Sequence, residues 1–221
     1  GVGEVITSAQ IESLPLNGRQ FGNLAALVPG VSLGFHTDPT KSTQFAPQVG
    51  GGGGRNINYL IDGGDNNDDT VGGLVQNFPL DSIGEFKFET QRFRADTGRA
   101  NGGTIKVVTK SGTNDFRGSV FEYFRDKSLN AQTTTEINNK QPKGDYRKNQ
   151  IGGSLGGPIV KDKTHFFLSV ERVQQDTTQS VNTKGLFPDK DGVFNVPFRE
   201  NLAVAKINHQ FNSNNYLSVR Y

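Results

Sequence analysis

The stretch Gly102-Gly103-Thr104-Ile105-Lys106-Val107-Val108-Thr109-Lys110-Ser111-Gly112-Thr113-Asn114 divides the chain into two kinds of sequence. Thr104 to Thr109 is rich in β-branched residues and reads as a short strand. Thr109, Lys110, Ser111, Gly112 and Thr113 then form a polar hinge of turn-favouring residues. Asp115 to Asp126 (DFRGSVFEYFRD) follows at once, aromatic-rich and without helix caps. The reading is a small domain over residues 1–110 and a longer sheet over residues 111–221.

Upstream of the hinge the elements are short. Val2 to Ile6 is a strand candidate, and Thr7 with Gln10 has capping-box spacing, so a short helix is expected to follow and to end at Pro15. Asn17 is a fair N-cap for a second helix. Phe21, Leu24, Ala25 and Val28 then fall at i, i+3, i+4 and i+7, one apolar stripe stopped by Pro29-Gly30. Residues 34–54 read as loop, broken by Pro39 and Pro47 and ending in five glycines. Ile57, Tyr59 and Ile61 alternate on a strand that Asp62-Gly63 turns, and Gly64 to Asn77 reads as loop. Pro79 and Asp81 suit a first helical turn. Glu85 to Glu89 alternates again, with Phe86 and Phe88 inward. Residues 1–110 are therefore expected to be a small α+β domain.

Downstream, strands are expected at Phe116–Arg125, Gln150–Val160, His165–Gln174, Leu202–Phe211 and from Tyr216. Phe166, Leu168 and Val170 share one face, with Phe167, Ser169 and Glu171 on the other. Ala203, Ala205, Ile207 and Phe211 similarly oppose Lys206, Asn208 and Gln210. One apolar and one polar face is the pattern of a membrane barrel strand, and also of a one-sided soluble sheet. Unequal connections favour the barrel: Asn212–Asn215 is short and 175–201 is long. The last strand is still running at Tyr221, and open edges are not tolerated in lipid, so a continuation is expected.

Composition narrows the classes. Hydrophobic residues make up 33% of the 221, with 28 Gly and 16 Phe, which fits turns and two-faced strands better than an enzyme core. Absence of Cys removes disulfides and thiolate sites, and no Met is present, so a start residue and any signal peptide are expected outside this sequence. A net charge of +2 with interspersed signs speaks against nucleic-acid binding. No apolar run is long enough for a membrane-spanning helix, which says nothing against strands.

Several local patterns tempt a chemical reading. Gly50 to Gly54 lacks the strand before and helix after that a phosphate loop requires. Asp65-Asn66-Asn67-Asp68-Asp69 offers oxygen donors for Ca²⁺, yet Thr70 and Gln76 stand where an EF-hand needs Gly and Glu. His36, His165 and His209 have no ligand spacing. Ser111 lacks a nucleophile elbow, and Glu122 and Glu171 have no partner carboxylate. No catalytic residue, cofactor or metal site is assigned, and the protein is not expected to be an enzyme.

Four motif groups, in order, resemble the TonB-dependent outer-membrane receptors, most closely the Oar-like branch. They are Leu14-Pro15 with Arg19, Leu24, Leu27 and Pro29-Gly30-Val31; then Tyr59-Leu60-Ile61-Asp62-Gly63. Next come Ile83, Glu85-Phe86, Gly98 to Gly103 and the Thr109–Asn114 hinge. Last are Phe121 to Arg125 and Arg147 to Ile159. The resemblance implies an α+β plug domain, 1–110, followed by antiparallel strands of an incomplete transmembrane β-barrel, 111–221. It implies active import of an unidentified ligand (carbohydrate, peptide or metal chelate) across the bacterial outer membrane. The implied partners are TonB with its inner-membrane energising complex and outer-membrane lipid, with no nucleic acid. The alternative is a non-transporting surface protein of the same architecture in adhesion or signalling. Thr90-Gln91-Arg92 stands where classical relatives carry Arg-Gly-Pro, so the plug arginine that pairs with barrel carboxylates is missing. By the resemblance, residues 36–54 and 64–77 floor the binding vestibule, and Phe45, Gln48, Asn66, Asn67, Asp68 and Asp69 are the contact candidates.

Overall fold

The structure is a computed structural model. It describes residues 2–14, 16–36, 45–51, 54–92, 94, 97, 100–132, 134–138, 142–181 and 183–221. The expected helix stop at Pro15 and the motif residues Gly98 and Arg99 lie outside the described residues. Contacts group the chain into two units: 1–117 with 154–169 and 203–221, and 118–153 with 170–202.

The first unit begins with strand β1 (Val2–Thr7) and helix α1 (Ser8–Ser13). The Gln10 side-chain oxygen accepts from the Thr7 N–H at 2.9 Å and the Thr7 hydroxyl at 3.1 Å, which fixes the helix start. The expected second α-helix is instead a 3₁₀ segment, Phe21–Leu27, preceded by a separate 3₁₀ turn at Asn17–Arg19. The apolar stripe is nonetheless buried: Phe21, Leu24, Ala25 and Val28 all enter the core. Part of the expected 34–54 loop is structured, since β2 (Val31–Phe35) pairs antiparallel with β3 (Phe45–Val49). Pro47, opposite Leu33, is tolerated because every strand of a two-stranded sheet is an edge.

Strands β4 (Ile57–Ile61) and β5 (Gly64–Asp65) are joined by Asp62 and Gly63, both at positive φ, 49° and 83°. That is the two-residue hairpin turn for which Asp-Gly is suited. A 3₁₀ turn at Leu80–Ser82 leads to β6 (Ile83–Gln91), and β7 (Gly103–Thr109) closes the sheet. The strand order is β1-β6-β7-β4-β5, with β4 and β7 parallel and β1–β6, β6–β7 and β4–β5 antiparallel. Phe86, Phe88, Ile83 and Ile105 are fully buried beneath the 3₁₀ segment. Val204, from far along the chain, joins the same core.

The longer sheet holds β8 (Arg117–Asp126), β9 (Tyr146–Val160), β10 (Thr164–Val181), β11 (Gly192–Asn195), β12 (Phe198–Asn212) and β13 (Asn215–Arg220). Between β8 and β9 lies a short helix α2 (Thr134–Asn138). The order is β13-β12-β10-β9-β8, with β11 paired antiparallel to the far end of β10. Strands β9, β10 and β12 are longer than sequence alone suggests, and β11 falls inside the expected 175–201 loop. Along β10, Ser169 and Glu171 are buried while Leu168 and Val170 are about half exposed. Along β12, Val204, Lys206 and Asn208 are buried while Ile207 and Phe211 are exposed. The alternation has the period of two that pleated strands impose.

Candidate functional site

β4 and β7 run parallel, with Ile57 beside Gly103 and Ile61 beside Val107. The small sheet therefore has a hinge end, at Thr109, and an opposite end, at Asn56 and Gly102. After β5 the chain turns back along β4: the Asn66 N–H donates to Tyr59 O at 3.0 Å, and Asn67 Oδ1 accepts from Tyr59 N at 2.9 Å. This carries residues 68–73 to the end opposite the hinge. There a polar cavity of ~290 Å³ is lined by Arg55, Ile57, Asn67, Asp68, Asp69, Thr70, Val71, Gly72 and Gly73. His36 Nε2 lies 3.1 Å from Gly72 O, tying the 31–36 segment to the same loop.

The six contact candidates fare differently. The Asn66 side chain is buried and committed, donating to Gln76 O at 2.9 Å and accepting from Gln76 N at 3.0 Å. Asn67 Nδ2 donates to Asn58 Oδ1 at 2.8 Å and Asp65 Oδ1 at 2.7 Å, so it braces β4. Asp68 Oδ1 accepts from Thr70 N and Val71 N, shaping its own turn. Asp69 lines the cavity from an exposed position. Gln48 is half-buried on β3, with its amide against Gly34. Phe45 opens β3, and its side chain lies outside the described residues. Sequence reasoning missed Arg55, which a run of glycines disguises as loop filler. It also missed Asp62, Lys206 and Arg220, whose proximity no spacing encodes.

The hinge is tightly seated. A Cβ on Gly112 would stand 2.2 Å from Phe166 O and 2.8 Å from Gly157 O, so only glycine fits there. Asn114 then brackets the β9–β10 turn, accepting from Asp162 N at 2.8 Å and donating to Asp162 Oδ1 at 2.5 Å. His165 Nε2 lies 2.8 Å from Asn114 Oδ1. In the second unit a larger cavity of ~490 Å³ is lined by Lys127, Asp145, Tyr146, Asp176 and Asn195, among others. Among the described residues no cluster of His, Asp and Glu has the geometry of a metal site.

Two-faced strands that follow an α+β domain through a glycine hinge fit an outer-membrane β-barrel protein. Residues 108–195 match the family described as outer membrane beta barrel domain. The TonB-dependent transporter Oar of Myxococcus xanthus is 30% identical over 158 residues, which is 67% of this chain and 14% of that protein. The chain belongs to the TonB-dependent outer-membrane receptors, is similar to Oar among them, and resides in the outer membrane. The outer membrane transporter YddB of Escherichia coli superposes with a TM-score of 0.71 at 16% identity, over 96% of this chain and 31% of that one. The siderophore receptor PirA of Acinetobacter baumannii gives 0.65 at 21%, over 96% and 29%. The ferric enterobactin receptor PfeA of Pseudomonas aeruginosa, solved as a mutant, gives 0.60 at 15%, over 99% and 32%. These structural likenesses show the fold. The chain spans under a third of each of these relatives.

Proposed function

We propose that residues 1–110 are the plug and residues 111–221 the first barrel strands of a TonB-dependent importer. The observation that carries this reading is the seated hinge: β7 of the small sheet passes through Gly112 straight into strand β8. In that arrangement Leu168, Val170 and Ile207 face lipid, while Ser169, Glu171 and Lys206 face inward. The cavity at Arg55 and Asp69 lies at the end of the plug sheet away from the hinge, and it is the part of the plug that meets ligand. Its polar lining suits a carbohydrate, a peptide or a metal chelate. TonB and its energising complex supply the energy for the import.

The test is physiological. Cells deleted for the full-length gene, and cells deleted for tonB, are compared for growth on panels of oligosaccharides, peptides and iron chelates. Loss of the same nutrient in both strains supports import. A surface-attachment defect in the first strain, with no nutrient shared between the two, would assign the protein to adhesion or signalling instead.

A further inference from the structure

Asp62 stands where distant segments meet. Its Oδ1 accepts the Thr109 N–H at 2.9 Å and its Oδ2 accepts the Thr109 hydroxyl at 2.6 Å. Two cations from the β12–β13 hairpin reach the same carboxylate. Lys206 Nζ lies 3.4 Å from Oδ1 and Arg220 Nε lies 3.0 Å from Oδ2. Lys206 also donates to Thr109 O and Oγ1, each at 3.1 Å, so its three N–H groups have three acceptors. Arg220 Nη2 donates to Ile61 O at 3.1 Å, and the guanidinium lies 5.0 Å from the centre of the Phe78 ring.

Two physical facts make this more than a chance surface contact. The Lys206 side chain is only 6% exposed, and a buried ammonium is costly unless it is paired. Lys206 and Arg220 are also direct cross-strand partners, and like charges in that position repel. Their neighbours on the inner face, Val204, Asn208 and Ser218, carry no compensating charge. The hairpin is thus built to receive a carboxylate from elsewhere, and Asp62 supplies it. The turn holds Asp62 there in a left-handed conformation that Asp tolerates better than most residues.

We propose that Asp62, Lys206 and Arg220 form a polar latch that seats the small sheet against the β12–β13 hairpin, and that this latch opens when the plug yields during import. The opening step rests on the importer reading; the latch itself does not.

The test is amide hydrogen exchange on the full-length receptor, read at residues 57–61 and 103–109. Lys206→Gln with Arg220→Gln is expected to speed exchange there about tenfold or more. Asp62→Asn, which keeps an acceptor for the Thr109 N–H and leaves the barrel strands untouched, is expected to do the same. In the triple variant Asp62→Asn should add little, because residues of one network are non-additive. Unchanged exchange in the Lys206→Gln, Arg220→Gln variant overturns the proposal. So does full additivity, which would leave Asp62 as a cap for its own turn and for β7. Exchange needs no ligand, so a receptor that imports nothing could still show the latch. Lost uptake with unchanged exchange would sink the latch and leave the import reading standing.

Discussion

Thr109 gives both its backbone N–H and its hydroxyl to the carboxylate of Asp62, 47 positions earlier in the chain. The last residue of β7, where the hinge begins, is thereby tied to the turn that ends β4. Thr109→Val keeps the shape and the backbone bond but removes the hydroxyl. The expected cost is about 1–2 kcal/mol of local stability, read as lost protection of residues 103–109 in the full receptor. Thr109→Ser should recover most of it.

Phe86 is fully buried between the small sheet and the Phe21–Leu27 segment. Phe86→Ala should cost about 3–5 kcal/mol, measured as a shift in denaturant-induced exposure of the small sheet. Barrel strand protection should change far less.

Glu89 is nearly buried and bridges Lys106 at 2.8 Å and Lys87 at 2.9 Å. The hydrogen bonds from Lys106, then Lys87, hold its carboxyl down at about 2, below the ordinary 4.5. The unfolded chain therefore binds this proton more readily than the folded one. The stabilisation is complete above pH 4.5 and is lost as the pH falls toward 2. Acid titration of small-sheet protection should show this loss, and Glu89→Gln should flatten that segment of the profile.

Gly112→Ala places a methyl group 2.2 Å from Phe166 O. The backbone of β10 cannot give by that amount without breaking pairing. The variant is expected to lower the yield of folded receptor, read by heat-modifiable migration, whereas Ser111→Ala on the exposed neighbour should not.

Val170 is 49% exposed on the face assigned to lipid. Val170→Arg should cost about 2–4 kcal/mol in a bilayer folding assay if the residue lies near the midplane. Val170→Leu should be close to neutral.

What sequence could show follows from range. Strict alternation in β10 and β12 is local, so the two faces of those strands were legible from Phe166–Glu171 and Ala203–Phe211. Asp62-Gly63 declared its turn because few residue pairs accept two positive φ values in succession. The Phe21–Val28 stripe revealed burial correctly but not helix type, since spacing alone does not separate a 3₁₀ segment from an α-helix this short. Strands β2 and β3 were hidden by Pro47 and by glycine, and β11 is too brief to show a period. In the candidate site, Asp68 and Asp69 line the cavity, Asn67 lines it while bracing β4, and the Asn66 side chain is taken up by Gln76. A polar loop looks the same in sequence whether its amides face a ligand or its own backbone.

The inward placement of Lys206 has one more consequence. In a strand with period two, slipping β12 by a single residue would send Lys206 to the exposed face and turn Ile207 and Phe211 to the buried one. Asp62 would then lose the Lys206 ammonium and keep only Arg220 as its cation. Correct register is thus what lets the hairpin offer two cations to Asp62, and a β12 slipped by one residue would offer it only one.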